Sequence, residues 1–336
     1  MAQSNLTKIV IRNADNIQGD KILVYDAPES EVFFLLQEKM PSSEIVLHTR
    51  DFIFYNRYIQ AGVPVTNASF GTDPIGELYD TILLFLPKSD EDILMTIELC
   101  KSRLAPGGHI FVVGVNKSGI RPAGKKLQET IGPIVHEDHA RHSIMYQARL
   151  EKAKGKFDFG DYRKKFSYES LKLISYPGVF SHGKVDPGTK LLLENLEIPM
   201  HGSALDIGCG YGLIGAYLAS KGLDVQMVDI DAMSIKSAHE TMEANGLEAK
   251  IFASDVFSDI HASFDLITCN IPFHHGLETD YTFATKLLSG AKEHLQGTLY
   301  IVANAFLPYE KIMKKYFTSP EKIVETNAYK VYRLTT

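Results

Sequence analysis

The stretch Ala204-Leu205-Asp206-Ile207-Gly208-Cys209-Gly210-Tyr211-Gly212 runs from an apolar segment through one carboxylate into three closely spaced glycines. A short apolar run bounded by glycine reads as a buried strand, here 203–207, and the apolar pattern resuming near Leu213 reads as a helix. The glycines between them permit positive φ and a close approach to the backbone, while the helix start presents N–H groups without partners inside the helix. Such a turn binds a ligand through its main chain. A literal Gly-x-Gly-x-x-Gly occurs at Gly210, Gly212 and Gly215, but a dinucleotide fingerprint begins directly after its strand. Counted from Gly208, the third glycine position holds Leu213. Asp206 also argues against a pyrophosphate, which a neighbouring carboxylate would repel, and favours a cationic or hydroxyl-bearing ligand.

S-adenosylmethionine, with a sulfonium and an amino group, meets that description. Asp229 ends the next expected strand, 17 residues after Gly212, where a carboxylate accepts hydrogen bonds from two ribose hydroxyls. Asp255 follows a third strand and is placed to accept from an adenine amino group. Ile230 and Val256 stand beside these two, and Asn270 completes the expected cofactor set. Upstream, the segment 176–188 precedes a helix expected over 189–196; there Phe180 is placed to cover the cofactor and Lys184 to meet a phosphate.

Around this turn, short apolar runs alternate with helix-like patterns, the signature of a mostly parallel sheet with helices on both faces in an α/β fold. The expected strands are 203–207, 224–228, 250–253, 265–270 and 298–303. An earlier set lies at 21–25, 44–48, 81–86 and 109–114, with a helix over 91–104. The two sets look like copies. Tyr79-Asp80-Thr81-Ile82-Leu83-Leu84-Phe85-Leu86-Pro87 parallels Phe264-Asp265-Leu266-Ile267-Thr268-Cys269-Asn270-Ile271-Pro272, and Pro106-Gly107-Gly108 answers Gln296-Gly297 before the next strand. Duplication of a whole domain is the economical reading, with domains expected at 1–160 and 161–336. In the first copy Phe85 stands where the second has Asn270, and the opening turn Asp26-Ala27-Pro28-Glu29 has no glycine. That copy reads as degenerate, serving substrate recognition or stability.

The chemistry is expected at Asn270-Ile271-Pro272-Phe273, which follows a strand at the carboxyl edge, where open α/β sheets bind ligands. An exocyclic amine on a nucleobase is a poor nucleophile because its lone pair is delocalised into the ring. The Asn270 side-chain oxygen and the Ile271 carbonyl can each accept one N–H and turn the lone pair toward a methyl group. Phe273 offers a stacking face for a base taken out of its helix. Transfer from a sulfonium needs no covalent intermediate, so catalysis is positioning and electrostatics. His274 and His275 read as solvent-facing loop residues, and Cys209 and Cys269 as packing thiols.

Composition narrows the rest. The 336 residues, 45 % hydrophobic and 23 % charged, match a folded globular chain of about two domains. Apolar runs such as 82–86 are far shorter than a membrane helix requires. The first residues lack a signal-peptide pattern, so the expectation is a cytoplasmic protein without a membrane partner. Three scattered cysteines form neither a disulfide framework nor a zinc site, and no metal is expected. Net charge is −6, yet the span 149–190 holds ten basic against five acidic residues, leaving −11 elsewhere. Such segregation steers a polyanion to one face of an acidic protein, although a solvated linker has the same composition.

The stretch 206–212, Asn270-Ile271-Pro272-Phe273-His274, and Pro177-Gly178-Val179-Phe180-Ser181 with Val185-Asp186 together resemble the bacterial small-subunit ribosomal RNA guanine-N2-methyltransferases of the C type. In the first half, Val113-Gly114-Val115-Asn116-Lys117-Ser118-Gly119-Ile120-Arg121 and the spacing to Phe157 and Tyr162 are similar to that family's N-terminal domain. The resemblance implies two tandem Rossmann-like methyltransferase domains and cofactor binding only in the second. It also implies methylation of a guanine amino group in ribosomal RNA of the small subunit, by a chain expected to be monomeric. The family pattern is Asn-Pro-Pro-Phe, and Ile271 replaces its first proline, removing the fixed φ that aims the carbonyl. The residues alone also admit adenine-N6 or protein-glutamine methylation, a nicotinamide oxidoreductase, or a non-catalytic RNA-binding assembly factor.

Overall fold

Apolar runs flanked by glycine or aspartate become the inner strands of two sheets with the same strand order. The computed structural model describes residues 4–74, 78–140, 142–152, 155–272 and 277–335, which fall into the units Met1–Arg163 and Lys164–Thr336.

In the first unit, β1 (Lys21–Tyr25), β2 (Glu44–Thr49), β3 (Ala68–Phe70), β4 (Tyr79–Phe85), β5 (Leu104–Val115), β6 (Ile134–Ala140) and β7 (Ser143–Arg149) form a seven-stranded sheet of order β3-β2-β1-β4-β5-β7-β6. Strands β1 to β5 pair in parallel and β7 inserts antiparallel beside β5. The helices are α1 (Asn5–Arg12), α2 (Glu31–Lys39), α3 (Phe52–Gln60), α4 (Asp90–Arg103) and α5 (Ile120–Thr130).

The second unit opens with a hairpin, β8 (Lys164–Tyr168) and β9 (Leu171–Ser175). Its main sheet comprises β10 (Ser203–Ile207), β11 (Asp224–Asp229), β12 (Lys250–Ala253), β13 (Phe264–Asn270), β14 (Leu295–Asn304), β15 (Glu321–Glu325) and β16 (Tyr329–Thr335), in the order β12-β11-β10-β13-β14-β16-β15. Its helices are α6 (Pro187–Leu193), α7 (Leu213–Ser220), α8 (Ala232–Asn245), α9 (Leu277–His294) and α10 (Glu310–Tyr316).

Inner strands are covered on both faces and therefore carry nearly continuous apolar runs, whereas closing strands such as β6 alternate. The duplication extends to individual hydrogen bonds. Asp80 Oδ2 accepts from the backbone N–H of Asp20 (3.0 Å) and Lys21 (2.9 Å) at the start of β1. Asp265 Oδ2 accepts from the backbone N–H (2.8 Å) and hydroxyl (3.1 Å) of Ser203 at the start of β10. Gly108 and Gly297 are also equivalent: a methyl group on either would lie 2.8 Å from the Asp80 carbonyl oxygen or 2.3 Å from that of Asp265. Only glycine lets these strands approach so closely.

Ile207, at the end of β10, pairs with Val228 on one side and Cys269 on the other. The order reverses here, opening a crevice at the carboxyl edge. The glycine turn and Asn270 border that crevice. No helix among the described residues is long and apolar enough to cross a membrane.

Candidate active site

Beyond Ile207 the backbone folds under itself: the N–H groups of Gly208 and Cys209 both donate to the Val228 carbonyl, at 2.8 and 3.0 Å. Gly208, Gly210 and Gly212 have φ of +70°, +53° and +81°, the left-handed region that glycine enters without strain. A methyl group on Gly208 or Gly210 would meet nothing within 4 Å. The turn thus leaves a main-chain face uncovered by its own side chains, as backbone binding of a ligand requires.

The carboxylates around the turn divide their work. Asp229 accepts from Gly210 N–H at 2.9 Å and from Asp231 N–H at 3.0 Å, joining the end of β11 to the turn. Asp231, not Asp229, caps α8. Asp206 is fully buried; Oδ2 accepts from Gly215 N–H at 3.2 Å and Oδ1 from the Thr268 hydroxyl at 3.1 Å. Burial pushes its carboxyl up to about 7, opposed by those two hydrogen bonds and assisted by the charge of Asp229. Gly212 has no side chain with which to cap α7, and Asp206 reaches an N–H of that helix's first turn from the strand. Both oxygens thus anchor the turn from beneath, where the sequence places a carboxylate beside a cationic or hydroxyl-bearing ligand.

Asp255 forms an ion pair with Lys286 of α9 and its N–H donates to Ser258 Oγ at 2.9 Å. Val256 is buried with φ of +60°, and Ile230 is half-buried just past β11. Phe180 is 40 % exposed, in the segment between β9 and α6. The Tyr211 hydroxyl donates to the Lys184 carbonyl at 3.4 Å, bringing that segment against the glycine turn.

The second turn is anchored from several elements. Asn270 Nδ2 donates to Asp186 Oδ2 (3.1 Å) and to Thr189 Oγ1 (2.9 Å). A carboxylate only accepts, so the nitrogen of the carboxamide must face Asp186 and the oxygen must face elsewhere. Asp186 also caps α6, accepting from Thr189 N–H at 2.7 Å, with Pro187 at the first helical position. Burial, then the charge of Asp186 and a hydrogen bond to it, raise the pKa of Tyr329. Asp186, Thr189 and Tyr329 were not singled out from sequence as site residues. The Asp-Pro pair before an apolar helical pattern signals a cap, but nothing local signals its reach to Asn270.

Ile271 is buried in the core, and its N–H donates to the Val302 carbonyl at 3.0 Å. Proline could not make that bond. This chain replaces the rigidity of a proline ring with one more rung of the β13–β14 ladder. Pro272 is half-buried, and Phe273, His274 and His275 lie outside the described residues. Cys209 and Cys269 are buried, and burial pushes both thiols up, as suits packing groups. Among the described residues no group of His, Cys, Asp and Glu could hold a metal ion.

Residues 170–333 match the Methyltransferase small domain and residues 7–166 match the Methyltransferase small domain N-terminal. A ribosomal RNA small subunit methyltransferase C from Pseudoalteromonas translucida is 32 % identical over 98 % of this chain and 98 % of its own. The protein of that name from Aeromonas hydrophila is 35 % identical over 98 % and 97 %. The structure of the T. thermophilus 16S rRNA N2 G1207 methyltransferase in complex with AdoMet and guanosine superposes with a TM-score of 0.86, at 23 % identity, over 99 % of this chain and 92 % of that one. With relatives of this identity matched along nearly their whole length, the chain belongs to the ribosomal RNA small subunit methyltransferase C family.

Proposed function

We propose that this chain transfers the methyl group of S-adenosylmethionine to the exocyclic N2 amine of a guanine in small-subunit ribosomal RNA. The observation that carries the reading is Asn270. With its nitrogen committed to Asp186 and Thr189, its oxygen is fixed as an acceptor at the carboxyl edge of β13. The Ile271 carbonyl follows one residue on, in the peptide unit after the one whose N–H is held by the bond to Val302. Two acceptors so placed grip the two N–H groups of a flat amine and direct its lone pair at the methyl carbon.

The open glycine backbone fits the cofactor. We assign the main chain of Gly208, Gly210 and Gly212, with Asp206 anchoring it, and Asp229 at the ribose hydroxyls. Asp255 is assigned to the adenine amine, with Ile230, Val256 and Phe180 as apolar walls. When bound, S-adenosylmethionine supplies a methyl group already activated on sulfur. The protein's own task is orientation: Asn270 and Ile271 hold the amine, and Pro272 and Phe273 shape and stack its pocket.

The domain at 161–336 is assigned catalysis and that at 1–160 recognition or stability, in a monomeric protein working where ribosomes are assembled. The exposed lysines of β8 and β9, Lys164, Lys165 and Lys172, are assigned to phosphate contact. The test is to incubate unmethylated small subunits with enzyme and labelled cofactor and to map the label. N2-methylguanine in 16S rRNA is expected, G1207 being the first position to examine. Label in adenine or in protein would overturn the reading.

A further inference from the structure

Methyl transfer as proposed engages the oxygen of Asn270, while a buried carboxylate faces its nitrogen. Asp186 is 4 % exposed. Three donors converge on its carboxylate: Thr189 N–H at 2.7 Å, Asn270 Nδ2 at 3.1 Å and the hydroxyl of Tyr329. Capping α6 needs only the first of these. Asn270 lies 84 residues away on another element, and Tyr329 belongs to β16. Gly188 keeps the group tight, since a methyl group there would lie 2.7 Å from the Tyr329 ring and 3.0 Å from Asp186 Oδ2.

We propose that Asp186 is a positioning residue for methyl transfer, holding the Asn270 carboxamide by its nitrogen so that the oxygen alone faces the amine. This rests on the reading of Asn270 given above. Two effects follow from a charge at this place. Flipping the amide would set its oxygen against a carboxylate and break both hydrogen bonds of Nδ2, so the unproductive orientation is excluded. The hydrogen bond to an anion also draws electron density through the amide onto its oxygen. Positive charge grows on the substrate nitrogen as the methyl group arrives, and a more negative oxygen stabilises that state more than the ground state.

The variant that separates this role from capping is Asp186→Asn, because asparagine caps a helix about as well as aspartate. The expected result is a fall in kcat of about 30-fold. KM for the RNA and the Kd for S-adenosylhomocysteine should stay within about threefold, and Tm within about 3 °C. Should that variant prove unstable, Asp186→Ser retains a capping hydroxyl but cannot reach Asn270, and the same loss in kcat is expected. A folded variant of either kind with kcat within about threefold of the original would overturn the proposal. So would a loss confined to KM. Asn270→Ala is measured alongside: if it is inactive while Asp186→Asn is fully active, only the role of Asp186 fails, whereas full activity in Asn270→Ala removes the reading of the site itself.

Discussion

At the ends of β1 and β10 the chain makes the same turn twice and fills it in opposite ways. Asp26 N–H donates to the His48 carbonyl at 2.8 Å, as Gly208 N–H does to Val228. Asp26 even adopts the left-handed conformation, with φ of +54°. Its side chain then enters the space that Gly208 leaves open. Asp26 Oδ1 accepts from the Thr49 hydroxyl and from Arg50 N–H, both at 2.9 Å. The buried Arg50 guanidinium makes a two-pronged bond to Asp92, at 2.7 and 2.9 Å, with Nε 3.5 Å from Asp26. Burial opposes the charge of Arg50, but Asp92 overrides it. Burial, reinforced by the charge of Arg50, drives His48 down to about 3 and keeps that ring neutral.

The equivalence continues past the turn. Asp51 N–H donates to Thr49 Oγ1 at 3.0 Å, and Asp231 N–H to Asp229 Oδ1 at the same distance. Thr49 therefore sits where the other unit has Asp229, and the buried Phe85 sits where it has Asn270. The backbone is indifferent to whether the crevice is filled or open. On the proposed function, activity depends on a side chain withheld at one position and a carboxamide supplied at another.

The two turns can be perturbed separately. Arg50→Met leaves the buried Asp92 and the half-buried Asp26 without their cation, and should destabilise the first unit by about 3 to 5 kcal/mol in urea unfolding. A loss below about 1 kcal/mol would mean that the ion pairs do not hold that turn. Conversely, Gly208→Asp transplants the first turn's residue into the second. The fold should survive, because Asp26 tolerates the same conformation, but affinity for S-adenosylhomocysteine should fall by at least about 100-fold in calorimetry. Unchanged affinity would refute the assignment of the open face.

Asp206 gives the second turn a dependence on pH. Its carboxyl keeps its proton in the fold up to about 7, whereas in the unfolded chain it ionises in the ordinary carboxylate range. The folded state thus binds the extra proton between those values, and this group's contribution to stability falls as pH rises through them. The Tm of the original protein relative to Asp206→Asn should therefore decline from about pH 5 to pH 8. A flat or rising difference would contradict the buried, proton-retaining anchor. The smallest effect is expected for Ile271→Pro, which restores the family pattern but loses the bond to Val302. A stability loss of about 1 kcal/mol is anticipated, with activity within about threefold.

The inner strands were legible because burial on both faces demands apolar runs: 203–207 and 250–253 match β10 and β12 residue for residue. The strands β6, β7, β15 and β16 were not seen. β6 contains His136-Glu137-Asp138-His139, and an edge exposed on one face needs no apolar run. The β8–β9 hairpin was hidden for a similar reason, its lysines resembling a solvated linker. Within the site, the glycine turn was readable because positive φ constrains residue type locally. The inward commitment of Asp206 and the link from Asp186 to Asn270 were not, because they depend on elements brought together only by the folded chain.

That Asn270 grips the amine while the glycine turn and its carboxylates carry most of the hold on the cofactor is tested by Asn270→Ala assayed for methyl transfer to unmethylated small subunits. The affinity for S-adenosylhomocysteine is titrated on the same preparation. Transfer should fall by at least about 100-fold with affinity changed by no more than a few fold. Transfer at the original rate would mean that the carboxamide does not hold the amine.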